Sequence, residues 1–286
     1  MALIEFNYAV LKLVQSFSSA PLDALMQIIT FFGNPIFWIL IAAFLYWRGR
    51  ENESFYFMNL LAFSAAVVGI LKPLFGIARP DKHIFRVISS DWGFSFPSGH
   101  STLIASVCTY AGRFARSKTT ITLLAVLALA VAFSRMYLGV HFLTDVIAGL
   151  IIGFVIGESN FFMRRKLEHS SYQLTKLGDE LAFVAVIFLG LVIALFFAVP
   201  ALSGALIGFY AGFFLLKEKQ FGGQLRRTSN SALKLAVGYA VVALLALPYF
   251  MKFELSWAAE FALFLIAGFW VSFILPYLWD RFCRFV

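Results

Sequence analysis

A chain of 286 residues with 61% hydrophobic residues, 35 phenylalanines, 13% charged residues and a mean hydropathy of +0.86 carries more apolar surface than a water-soluble domain can bury. Composition therefore excludes a soluble globular protein and predicts an all-α, polytopic transmembrane helical bundle. The net charge of +8 does not point to nucleic acid, because the cations sit in short clusters between apolar runs, as loops of a membrane protein do.

In chain order, Met1–Phe6 lacks a basic region and a small-residue cleavage site, so no removable signal peptide is expected. Residues 1–19 read as an amphipathic stretch suited to the membrane interface. The first clear span is Pro35–Trp47, extended upstream through Leu25–Phe32 with a break at Gly33-Asn34-Pro35. Further helices are expected over Phe55–Leu74, Ser98–Arg113, Thr120–Phe133, His141–Phe162, Leu181–Val199, Leu202–Leu216, Ala232–Phe250 and Trp257–Trp279, about nine in all. Residues 1–180 hold the expected N-terminal interfacial segment and the core with its three charged segments, and residues 181–286 additional helices of the same membrane domain. Over the whole chain a six-helix core plus about three C-terminal helices is expected. Cys108 and Cys283 lie far apart in or beside apolar segments, and neither a disulfide nor a metal site is expected of them.

Charge orients the bundle. Arg48/Arg50, Arg113/Arg116/Lys118, Arg164/Arg165/Lys166, Lys217/Lys219/Arg226/Arg227 and Arg281/Arg284 fall on alternate loops, which the positive-inside rule assigns to the cytoplasm. The opposite loops carry few cations, among them Lys72, Arg79 and Arg135.

Those three belong to segments whose ionisable groups are costly near lipid and need a common reason. In Lys72-Pro73-Leu74-Phe75-Gly76-Ile77-Ala78-Arg79-Pro80, a compact ammonium and a bidentate guanidinium can surround a tetrahedral dianion. Snorkelling to headgroups accounts for the pair equally simply. Pro97-Ser98-Gly99-His100 opens a helix, with proline in the first turn and backbone N–H groups of Ser98 and Gly99 presented to an anion; an ordinary helix start is the plain alternative. Ser134-Arg135 ends one helix, and His141 opens the next with Asp145 four residues on, on the same face. A carboxylate beside an imidazole suits nucleophilic catalysis and a proton relay alike.

Taken together and in this order, the three segments resemble the signature of the type 2 phosphatidic acid phosphatase superfamily over residues 72–145. The resemblance implies His141 as a nucleophile forming a phosphohistidine, Asp145 as the group that orients it, and His100 as the acid and then the base. It implies Lys72, Arg79 and Arg135, with Ser98 and the Gly99 amide, as the clamp on the phosphate oxygens. It also implies catalysis without a metal or other cofactor, since fixed cations can stabilise the transferred group.

The expected partners are a lipid phosphate substrate and membrane lipids, with no nucleic acid. The expected location is the cell (inner) membrane, with the site on the non-cytoplasmic face. Polyprenyl diphosphate is the first-choice substrate; phosphatidate, phosphatidylglycerol phosphate and sphingoid-base phosphates are alternatives. A lipid phosphotransferase and a non-enzymatic lipid transporter are the other classes. Vanadium haloperoxidases share the constellation but are soluble. Lys82, His83 and Arg86 read as a solvated loop or a second phosphate contact, and Trp92 as an interfacial anchor. Asp179 and Glu180 read as helix-dipole complements.

Overall fold

The computed structural model describes residues 2–89, 93–169, 199–221 and 232–282, and every regular element among them is helical. The expected Leu181–Val199 helix up to residue 198, Trp92, Asp179, Glu180, Arg226, Arg227 and Arg284 lie outside the described residues.

The helices are α1 (Ala2–Gln15), α2 (Ala20–Phe31), α3 (Pro35–Trp47), α4 (Glu51–Phe75), α5 (Gly99–Gly112), α6 (Lys118–Tyr137) and α7 (Leu143–His169). They continue with α8 (Pro200–Phe221), α9 (Ala232–Phe250), α10 (Trp257–Phe269), a π-helical segment (Trp270–Ile274) and α11 (Leu275–Phe282). Among the described residues, six helical spans are long and apolar enough to cross a membrane, and α2 with α3, bent by 48°, makes a seventh. The bend falls at the expected Gly33-Asn34 break, where the Asn34 side chain accepts from the Ile36 amide at 2.9 Å and opens α3. At 14 residues, α5 is about 21 Å long, less than a hydrocarbon core of roughly 30 Å, and most of its residues are buried.

Several boundaries differ from the sequence reading, among them four on α5, α6 and α7. α6 starts earlier, because the Ser117 hydroxyl caps it by accepting from the Thr120 amide at 3.1 Å. It also runs on to Tyr137, so Ser134 and Arg135 lie within its last turn rather than beyond its end. α5 starts at Gly99 with Ser98 as its N-cap, which leaves Pro97 outside the helix rather than in its first turn. α7 starts at Leu143, so His141 stands in the connecting turn, two residues ahead of the helix that carries Asp145.

Backbone contacts divide the chain into two compact units, Met1–Trp38 with Asn59–His169 and Ile39–Met58 with Ser170–Val286. In the first unit, α5 and α7 pack through Gly149, Gly153 and Gly157. A Cβ at Gly153 would lie 2.2 Å from the Thr102 carbonyl oxygen, a backbone approach only glycine permits. α1 caps α7 from a distance: the Asn7 amide donates to the Thr144 hydroxyl at 3.0 Å and accepts from the Thr144 N–H at 3.3 Å. Tyr8 stacks on Phe142 and meets Phe85 edge-on. The expected interfacial N-terminus therefore has one face seated on the bundle, while Leu3, Ile4, Phe6 and Leu13 stay exposed.

In the second unit, the same glycine spacing recurs. Gly204, Gly208 and Gly212 of α8 press against α10 and the π-helical segment, with a Cβ at Gly208 falling 2.0 Å from the Leu265 carbonyl oxygen. Trp47 is fully buried there; its indole N–H donates to the Val271 carbonyl at 2.9 Å, and its own carbonyl accepts from Lys234 at 3.3 Å.

Candidate active site

All eight candidate residues belong to the first unit, and the loops between its helices bring most of them into one hydrogen-bonded network. Gly76, in the left-handed conformation (φ 58°), ends α4 and returns its N–H to the Lys72 carbonyl at 3.0 Å. That stop releases the chain into a loop whose described residues are 77–89 and 93–98. Lys72 Nζ donates to the Phe94 carbonyl, and Arg79 Nε donates to the Gly93 carbonyl at 2.9 Å. Both cations thus grip the strand of chain that leads into Ser98-Gly99-His100.

The turn from α6 to α7 carries the imidazole. Gly139 (φ 75°) closes α6, and a Cβ there would stand 2.2 Å from the Arg86 carbonyl oxygen, so both conformation and space demand glycine. His141 follows and is 1% exposed. Its Nδ1 lies 3.4 Å from Asp145 Oδ2 and 3.3 Å from Ser95 Oγ, while its Nε2 lies 3.3 Å from Arg79 Nη1. These neighbours select the tautomer with the proton on Nδ1, leaving the Nε2 lone pair toward Arg79.

Asp145 holds the turn as well as the imidazole. Its Oδ2 accepts from the Phe142 amide at 2.8 Å and from the Ser95 hydroxyl, and its backbone carbonyl accepts from the Ser98 amide at 3.1 Å. Its Oδ1 is buried and has no hydrogen-bond partner among the described residues. An uncompensated carboxylate oxygen in such surroundings favours a cation beside it, which an imidazole becomes when Nε2 forms a new bond.

Ser98 joins the network through its backbone: its amide donates to the Asp145 carbonyl at 3.1 Å, and its buried hydroxyl oxygen accepts from Ser101 Oγ at 3.0 Å and caps α5, keeping its own O–H as a donor. The Gly99 amide, at the first position of α5, has no intrahelical acceptor.

Arg135 and His100 both meet the end of α2 and the bend that follows it. Arg135 is 1% exposed, and its Nη1 donates to the Thr30 hydroxyl at 2.7 Å. The side of His100 packs on Gly33, where a Cβ would meet the His100 Cβ at 2.8 Å.

The loop cations fare differently. Arg86 donates to Asp23 through both terminal nitrogens, and that carboxylate pushes the exposed guanidinium still higher in pKa. Tyr137 donates to the same carboxylate at 2.8 Å, so Arg86 fastens its loop to α2 and α6. Lys82 and His83 are exposed. Ser95, fully buried between His141 and Asp145, is the group that sequence reading missed; one serine among aromatic residues carries no spacing signal.

Comparison with known proteins places this geometry in context. Residues 53–167 match the family model described as PAP2 superfamily, and residues 200–284 match the PAP2 superfamily phosphatase, transmembrane extension. The lipid A 4'-phosphatase of Porphyromonas gingivalis is 29% identical over 138 residues, which cover 42% of this chain and 58% of that protein. The aligned stretch is thus under two thirds of that relative. The undecaprenyl-diphosphatase of Sulfolobus acidocaldarius is 29% identical over 154 residues, 52% of this chain and 74% of that one. A crystal structure of a transmembrane PAP2 type phosphatidylglycerolphosphate phosphatase from Bacillus subtilis superposes with a TM-score of 0.53 at 25% identity, covering 60% of this chain and 90% of that one.

Proposed function

The chain belongs to the PAP2 superfamily, and from that premise we propose that it is a multi-pass membrane phosphatase that removes phosphate from a lipid through a phosphohistidine on His141. The observation that carries the reading is the imidazole itself: buried, held at Nδ1 by Asp145 and Ser95, with Nε2 turned to a guanidinium. An arginine 3.3 Å from the attacking nitrogen stands where a phosphate oxygen would be gripped.

The Nε2 lone pair attacks phosphorus, and the bond from phosphorus to the lipid-side oxygen breaks in line. His100 gives its proton to that leaving oxygen. Asp145 stabilises the imidazolium while Lys72, Arg79, Arg135 and the Gly99 amide take the charge on the phosphoryl oxygens. His100 then takes a proton from water, whose oxygen attacks phosphorus as the P–N bond breaks, releasing phosphate and restoring His141.

The substrate we favour is a polyprenyl diphosphate met at the non-cytoplasmic face of the cell membrane. The archaeal diphosphatase relative and the charge alternation of the loops support this. A phosphomonoester on lipid A is the second reading, supported by the P. gingivalis relative. Phosphate release measured across undecaprenyl diphosphate, lipid A, phosphatidylglycerol phosphate and phosphatidate in detergent micelles separates them. We expect undecaprenyl diphosphate to give the highest kcat/KM. Faster lipid A turnover would replace the first reading by the second, and no release from any lipid would remove both.

Ser95→Ala tests the network directly. Losing a hydrogen bond to a buried carboxylate beside the nucleophile is expected to lower kcat about tenfold. KM should stay within about twofold, because the hydroxyl faces the imidazole rather than the substrate. A raised KM at unchanged kcat would show that Ser95 touches substrate instead.

A further inference from the structure

We propose that the elbow between α2 and α3 is a positioning element of the catalytic apparatus, with Thr30 setting Arg135 and Gly33 setting His100. The inference rests on the phosphatase reading above and extends it to a segment outside both matched regions.

The elbow is built to be rigid. α2 ends with the Gly33 amide donating to the Thr30 carbonyl at 2.9 Å, and α3 starts under the Asn34 cap. The Trp38 indole reaches back across the bend to the Phe32 carbonyl at 2.7 Å. Phe37 meets Phe31, Phe32 and Trp38 edge-on, which locks the two helix ends around the 48° angle. A bend fixed by its own hydrogen bonds and rings can transmit a position.

What it touches are two groups of unlike role. The Thr30 hydroxyl lies 2.7 Å from Arg135 Nη1, and Arg135 is buried, so this contact orients the fork of the guanidinium rather than solvating it. One turn away on α6, Val131 would clash with a Gly33 Cβ at 2.8 Å. The same added atom would strike the His100 Cβ at 2.8 Å and its ring Cδ2 at 3.0 Å. The elbow therefore leans on α6 and α5 together, and its two contacts end on a phosphate-clamp cation and on the proposed acid–base.

Thr30→Val removes the hydroxyl at nearly constant shape, and Thr30→Ser keeps it. With purified protein in detergent, Thr30→Val is expected to lower kcat at least about tenfold and to raise the inhibition constant of orthovanadate by a similar factor, with the lipid KM within about twofold. Thr30→Ser should bring both back to within about threefold of wild type. Gly33→Ala, which displaces the imidazole of His100, is expected to cost about a hundredfold in kcat per folded molecule and to change the shape of the pH–rate profile.

Thr30→Val with kcat and vanadate inhibition within twofold of wild type would overturn the inference while leaving the phosphatase reading intact. So would a Gly33→Ala protein whose activity falls only in step with its folded fraction at an unaltered pH profile. If wild-type protein released no phosphate from the lipid panel, the reading would fall and this inference with it.

Discussion

Replacing His141 with Ala is expected to reduce phosphate release by at least about ten-thousandfold, to the background of the assay. The size of the effect follows from the role of Nε2. Without it no P–N bond forms, and the clamp is left to assist water that nothing has activated. Residual catalysis then comes from charge stabilisation alone. The variant also leaves Asp145 beside a cavity with one polar neighbour fewer. Stability should therefore fall by about 1–3 kcal/mol, and the comparison needs the folded fraction measured alongside. His100→Ala should behave differently. With an aryl phosphate, whose leaving group needs no proton, His100→Ala should still acquire phosphate on His141 but fail to hydrolyse it. An acid-labile phosphoenzyme then accumulates in His100→Ala and is absent from His141→Ala. Activity above about one percent in His141→Ala would sink the nucleophile assignment.

Much of this site was legible in the sequence because the expensive groups are few. Lys72, Arg79, Arg135, His100, His141 and Asp145 stand out against apolar helices, and the structure gathers them on the loops and helix ends of one unit. Their immediate supports were not legible. Ser95 reaches Asp145 only because the loop after Gly76 folds back over α7. Thr30 and Gly33 read as a helix end and a break, and only the fold reveals that the break lies against His100 and Arg135. The sequence likewise does not reveal that the Ser98 hydroxyl caps α5 while its amide donates to the Asp145 carbonyl. Helix boundaries shifted at both ends of α6 because capping groups, Ser117 at its start and Gly139 just past its end, outweigh hydropathy there. The four-residue glycine spacing on α7 and α8 was present in the sequence, but spacing alone does not name the helix each tract would meet.

That spacing carries the second large effect. In Gly153→Leu the new side chain starts from a Cβ 2.2 Å from the Thr102 carbonyl oxygen, 2.7 Å from the Ala105 Cβ and 2.9 Å from the Ser106 amide. Two of these are backbone atoms of a buried helix, which cannot rotate away as a flexible side chain would. The better helix propensity of leucine returns less than about 1 kcal/mol, whereas overpacking at such contacts costs about 1–3 kcal/mol or more, so the clash wins. α5 and α7 must separate, and the thermal midpoint should drop by on the order of 10 °C. The separation also parts two halves of the site, since α5 carries Gly99 and His100 while α7 carries Asp145, whose carbonyl binds the Ser98 amide. Activity per folded molecule should therefore fall together with stability. Gly112→Ala is the internal comparison. Its Cβ would meet nothing closer than Leu124 at 4.0 Å, so the same loss of glycine should leave the midpoint unchanged or slightly raised. Equal midpoints for Gly153→Leu and Gly112→Ala would mean that the α5–α7 contact is not set by glycine, and that the distance between His100 and Asp145 is held by the loops instead.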